Sequence, residues 1–166
     1  MFFPLLVLML LPPSSGGCPP DLPCLPSPGG GCVCGDTQEV HYLHLARERC
    51  REVLGQEGVL MEIFSAEDQS LAVSVMREAE MVIAGRERLC GSVFWWSDLR
   101  DVNNDNVWVW PQSGLEMTFS AWSETAQTND TYLNCMQLNS ASLEGSWQTF
   151  FCDTPYSHTF SLCQSR

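Results

Sequence analysis

The chain is predicted to fold as an α+β domain, two helices packed on antiparallel sheets with long loops and disulfide staples, and three observations lead there. Apolar residues recur at helical spacing in two early segments, then change to strand-like runs after Arg86. Aromatic residues concentrate in two of those runs, 93–96 (VFWW) and 107–110 (VWVW), and polar turn-rich stretches separate the strands. Nine cysteines stand among the 166 residues, all of them after an apolar N-terminal run. Helices first and short strands afterwards imply helices gathered on antiparallel sheet rather than alternating α/β units.

Residues 1–11 (MFFPLLVLMLL) are apolar and uncharged, too short for a bilayer core that needs about 20 residues. Pro12 and Pro13 end the run, and Ser15-Gly16-Gly17 offers small residues before Cys18. Residues 1–17 therefore read as a signal peptide, and the mature chain is expected to be secreted and extracellular, with no membrane insertion after cleavage. Residues 18–36 are rich in Cys, Pro and Gly, a composition that excludes a helix and predicts a disulfide-tied extended arm. The globular domain is then 37–166. Within it, Leu43, Ala46, Cys50, Val53 and Leu54 mark an amphipathic helix over 42–54. A short strand follows at 59–63. Ser65 with Asp68 caps a second helix with the apolar stripe Leu71, Val75, Ala79 and Val82, closed by Gly85. Strands are expected at 93–96, 107–110, 133–138 and 159–163, with loops over 97–106 and 122–134.

Charge and composition remove several functions. The eight basic residues, all arginines, face 20 acidic ones for a net charge of -12, so nucleic acid is not an expected partner. The absence of lysine excludes Schiff-base chemistry. His41, His44 and His158 are the only histidines, and neither a third metal ligand nor a G-x-S-x-G elbow accompanies them, so the chain is read as non-enzymatic. An odd number of cysteines in an oxidising compartment leaves one over, which suggests a disulfide-linked dimer or another covalent partner.

The spaced residues Ala46-x3-Cys50, Gly58-Val59-Leu60-x2-Ile63-x-Ser65-x-Glu67, Phe94-Trp95-Trp96-Ser97, Trp108-Val109-Trp110-x3-Gly114, Phe119-x2-Trp122, Asn134-Cys135-Met136, Gly145-x-Trp147-x4-Cys152 and Phe160-x2-Cys163 resemble the C-type lectin-like domain over residues 42–164. The resemblance implies disulfides Cys50 to Cys163 and Cys135 to Cys152. It leaves Cys18, Cys24, Cys32, Cys34 and Cys90 unassigned, some of them available for an N-terminal hairpin bridge. It also implies a role in recognition, pathogen recognition and innate immunity among the options.

Lectins of this family hold calcium through charged oxygen ligands, and the matching positions here are Ala126-Gln127-Thr128, Leu133 and Gln148-Thr149, which carry no carboxylate. No metal or other cofactor is therefore expected. Two other oxygen sets remain for calcium: Asp101, Asn103 and Asp105, which imitate an EF-hand start but have Gln112 at the last position, or Glu124, Asp130 and Asn134. Asn129-Asp130-Thr131 is a glycosylation acceptor. The expected ligand-binding residues are Trp96, placed by strand alternation on an outer face with Phe150, together with Glu124, Asn129, Asp130, Asn134 and Gln148. The expected partner is a protein or a glycan bound without the usual calcium site; the alternatives are a calcium-dependent lectin with a displaced site and a disulfide-linked assembly component.

Overall fold

The computed structural model describes residues 17–86 and 91–165. Most of the segment read as a signal peptide, and Cys90, lie outside the described residues. The chain opens with a hairpin of β1 (Cys24–Pro26) and β2 (Cys32–Gly35), followed by α1 (Leu43–Leu54), β3 (Val59–Leu60) and α2 (Ala66–Ala84). Then come β4 (Phe94–Arg100), β5 (Val109–Trp110), β6 (Leu115–Glu116), β7 (Cys135–Asn139), β8 (Trp147–Phe150) and β9 (Thr159–Gln164). The strands join in the order β1-β2-β9-β4-β5-β6, with β3 on β9, and with β7 on β4 and β8. All pairings are antiparallel except β4 with β9, which run parallel, so the sheet is mixed.

The N-terminal arm is part of this sheet. Val33 and Cys34 pair with Gln164 and Cys163, and residues 32–36 are all buried, because two half-cystines and a valine give β2 an apolar surface despite the Pro- and Gly-rich flanks. Cys18 bonds to Cys32 and Cys24 to Cys34 within the arm. Cys50 bonds to Cys163 and Cys135 to Cys152. Beyond the hairpin, the buried carboxylate of Asp36 accepts from Arg49 Nε at 2.8 Å and Nη2 at 3.1 Å, which pins the end of the arm to α1. The hydrogen bonds that Arg49 donates to Asp36 are the main reason its pKa lies above the ordinary value.

Ser65 caps α2, its Oγ accepting the Asp68 N–H at 3.1 Å. The buried stripe of α2 comprises Ala72, Val75, Met76, Ala79 and Ile83, turned slightly from the predicted one, so that Val82 is exposed. β4 is longer than predicted and takes in residues 97–100, read from sequence as part of a polar loop. Ser97 and Asp98 are buried there because each has a partner: Ser97 Oγ donates to the Met61 carbonyl at 2.9 Å, and Asp98 accepts from Arg47.

Two apolar clusters sandwich β4. The larger contains Trp95, Trp110, Trp147 and the inner face of α2; the smaller contains Trp96, Leu43, Ala46, Cys50 and Cys163. Trp95 and Trp96 are both 0% exposed. This corrects the placement of Trp96 on a ligand surface: alternation does set it opposite Trp95, but α1 covers that side of the sheet as well.

Candidate functional site

Two loops rise from a base of tryptophans. Trp147 N–H donates to the Ala121 carbonyl at 2.8 Å, and Ser123 N–H to the Trp147 carbonyl at 2.9 Å. The ring of Trp122 stands 4.8 Å from Trp108 and 5.5 Å from Trp147, edge to face. Gln69 of α2, buried, ties this base together: Nε2 donates to the carbonyls of Glu144 at 2.7 Å and Gly145 at 2.8 Å, and Oε1 accepts from Trp147 Nε1 at 2.8 Å.

The first loop, 101–108, is organised by Asp101, which is 4% exposed. Its Oδ1 accepts from the Asp105 N–H at 3.2 Å and its Oδ2 from the Asn106 N–H at 2.9 Å. Asn104 and Asn106 take positive φ of 56° and 65°, a region asparagine tolerates better than most residues. In the second loop, Asp130 Oδ1 accepts from the Tyr132 N–H at 2.8 Å. Asn134 joins the two loops, its Nδ2 donating to Asn104 Oδ1 and to the Thr131 carbonyl and its carbonyl accepting from the Asp101 N–H at 3.0 Å.

Between the loops lies a cleft of about 370 Å³ lined by Asp101, Asn104, Asp105, Asn106, Asn129 and Asp130, with two threonines. The structure thus brings together members of both oxygen sets named from sequence, Asp101 and Asp105 from one and Asp130 from the other. Asn103 and Glu124 are exposed and do not line it. The carboxylate of Asp101 is already engaged by two N–H groups, and among the described residues no group of three or more His, Cys, Asp or Glu is placed to hold a metal ion.

At the positions matching the family's calcium ligands, the Gln127 N–H donates to Thr149 Oγ1 at 3.1 Å. A neutral hydrogen bond closes the loop there, and this donor set does not fit calcium, which takes six to eight oxygens with carboxylates among them. Gln148 pairs with Gln137 across β8 and β7, and Phe150 is half-buried with its ring 5.0 Å from Phe94 and 4.9 Å from Tyr156. Asn129 is exposed. The large exposed apolar side chains on these loops are Tyr132 at 75%, Val102 at 58% and Val107 at 41%; sequence reasoning missed them because an isolated apolar residue in a polar loop carries no periodic signal.

Solved structures match this fold over most of the chain. Human lithostathine matches with a TM-score of 0.67 and 18% identity, over 96% of this chain and 97% of its own. The C-type lectin CEL-I from Cucumaria echinata matches with 0.63 and 16%, over 90% and 97%. The chain has the C-type lectin-like fold. A calcium-independent type II antifreeze protein shares this C-type lectin-like architecture with a TM-score of 0.56 and 18% identity, over 86% and 95%. No family model and no curated protein matches the sequence.

Proposed function

We propose that the protein is a secreted, non-enzymatic recognition module that binds a protein or glycan through the loops 101–108 and 123–134 without calcium. The observation that carries this reading is the closure of both loops by hydrogen bonds, from the Asp105 and Asn106 N–H groups to Asp101, from the Gln127 N–H to Thr149 and from Asn134 to Asn104. Loops ordered in advance bind with a smaller ordering cost. Tyr132 with Asn, Asp and Thr neighbours gives a rigid aromatic anchor among adaptable polar groups, the composition that suits recognition surfaces. Secretion is supported by the four disulfides among the described residues. A glycan on exposed Asn129 would crowd the cleft and leave the Tyr132 side of the loops as the contact surface.

Calcium titration of the disulfide-intact protein by calorimetry, with melting followed in calcium and in chelator, tests the proposal. The expected outcome is no binding heat and one melting temperature. Saturable binding with a melting shift of several degrees would establish instead a displaced calcium site, the second reading, which the approach of Asp101, Asp105 and Asp130 to one cleft favours.

A further inference from the structure

Between α2 and the turns at 119–121 and 143–144 lies a second cleft, of about 630 Å³, a size that suits a small molecule. α2 presents Ser70, Val73, Ser74 and Arg77 to it, neighbours on one helix face at spacings of three and four. The turns add Phe119, whose ring is held edge to face 5.8 Å from Trp147, and Leu143, which is 84% exposed. The turn that carries Leu143 and Glu144 is fixed against α2. Gln69 donates to the carbonyls of Glu144 and Gly145, and Gly145 packs so close that a Cβ there would lie 2.7 Å from Val73 Cγ2.

Among the described residues, Arg77 and Glu144 are the charged side chains that line the cleft, and their charges cancel. The other acids of α2, Glu67, Asp68, Glu78 and Glu80, do not line it. Arg77 Nη2 donates to the Leu143 carbonyl at 2.6 Å, which sets the guanidinium beside the residue that precedes Glu144. Neither Arg77 nor Glu144 makes an ion pair with the other or with any described residue, and both are exposed. The Ser70 and Ser74 hydroxyls are exposed as well. Each donates back along the helix, to the Ala66 carbonyl at 2.9 Å and the Ser70 carbonyl at 2.8 Å, which leaves its oxygen as an acceptor. The cleft thus offers two hydroxyl oxygens and a carboxylate as acceptors, one guanidinium as donor, and an apolar wall.

A simple cation in this cleft meets Glu144 but is opposed by Arg77, and a simple anion meets the reverse. A ligand that carries both charges is matched by both. We propose that the cleft binds a small zwitterion with an apolar side chain, a free amino acid or a short peptide. Its ammonium donates to Glu144 and the serine hydroxyls, its carboxylate accepts from Arg77, and its side chain rests on Val73 and Phe119. Three ammonium donors answer three acceptors, and the planar guanidinium fork answers a planar carboxylate. A zwitterion has no net charge, so the protein's charge of -12 does not repel it at long range. A neutral sugar uses the serines and leaves the two opposed charges without a counterpart. The assignment stands whether or not the loops 101–108 and 123–134 bind a ligand.

The test is a nuclear magnetic resonance titration of the full, disulfide-intact chain, isotope-labelled, with leucine and with leucyl-leucine. The controls are isocaproate, which lacks the ammonium, isoamylamine, which lacks the carboxylate, glycine, which lacks the side chain, and methyl glucoside. The better of the two ligands should shift the Val73, Arg77 and Glu144 amides saturably and bind roughly three- to fivefold more tightly than each control, the scale of one exposed ion pair. Tighter leucine assigns a free amino acid, and tighter leucyl-leucine a peptide. Glu144→Gln and Arg77→Gln, both at exposed positions, should each weaken binding by a similar factor, while Glu57→Gln, on the turn after α1, should leave it unchanged. Any control binding as tightly as the better ligand, shifts confined to residues outside the cleft, unchanged affinity in both charge variants, or no saturable shift up to the solubility limit would each overturn the proposal. Should a variant fail to fold, the ligand series on the unaltered protein decides.

Discussion

Gln69 is the side chain on which the base of the loops most depends. It sits on a helix, is 8% exposed, and its amide serves two carbonyls and one indole N–H at the same time. Replacing it with leucine leaves the Trp147 indole N–H and the Gly145 carbonyl buried and unpaired, at a cost of about 2–4 kcal/mol. Urea denaturation of Gln69→Leu should show that loss in the midpoint with an unchanged slope. Tyr156 carries a different prediction. Burial against Trp96 and Phe150 is the main cause that raises its pKa above the ordinary tyrosine value, with the hydrogen bond from the Phe151 N–H acting in the other direction. A group raised in the folded state contributes stability below its unfolded pKa and loses it as pH rises toward and through the folded value. The melting temperature should therefore fall in alkaline solution above about pH 10, and Tyr156→Phe should flatten that part of the profile.

Among the elements, β2 depends on a close approach at its last residue. A Cβ on Gly35 would lie 2.6 Å from Ala79 Cβ and 3.3 Å from the ring of Trp95. Gly35→Ala should destabilise by about 1–3 kcal/mol, and hydrogen exchange should place the loss in the hairpin and its junction with β9. This strand also shows where the sequence stops being readable. Both helices were legible because their apolar period is local and Ser65 with Asp68 announces a start. The aromatic strands were legible as strands. The strand character of residues 32–35 was hidden, because Val33 pairs with Gln164, far away in the chain, and local composition speaks only of turns. The polar half of β4 was hidden for a similar reason, since the partner that buries Asp98 lies 51 residues away on α1. Trp96 was misplaced because alternation assigns a face without saying what covers it. At the site, the loops were visible as turn-rich stretches. Their meeting across Asn134 and Asn104 was not, because it depends on a juxtaposition of residues 30 apart in the chain.

At the scale of the whole molecule, the four disulfides among the described residues are unequal. The Cys50–Cys163 bridge spans a separation of 113 residues and the Cys24–Cys34 bridge one of 10. Chain-entropy arguments give about 4–5 kcal/mol for the long bridge and about 2–3 kcal/mol for the short one. Guanidinium unfolding of the paired Cys→Ser variants should preserve that order. An equal loss from both would mean that the short bridge acts mainly through the register of β2 on β9.

The long bridge also makes residues 50–163 a closed covalent ring. A protease that cuts one peptide bond in the exposed 123–131 loop opens the ring without dividing the molecule, because both halves stay joined through Cys50 and Cys163. The core, held by strands on either side of the cut, has no reason to come apart. One cut in this loop thus leaves both halves in a single covalently joined molecule.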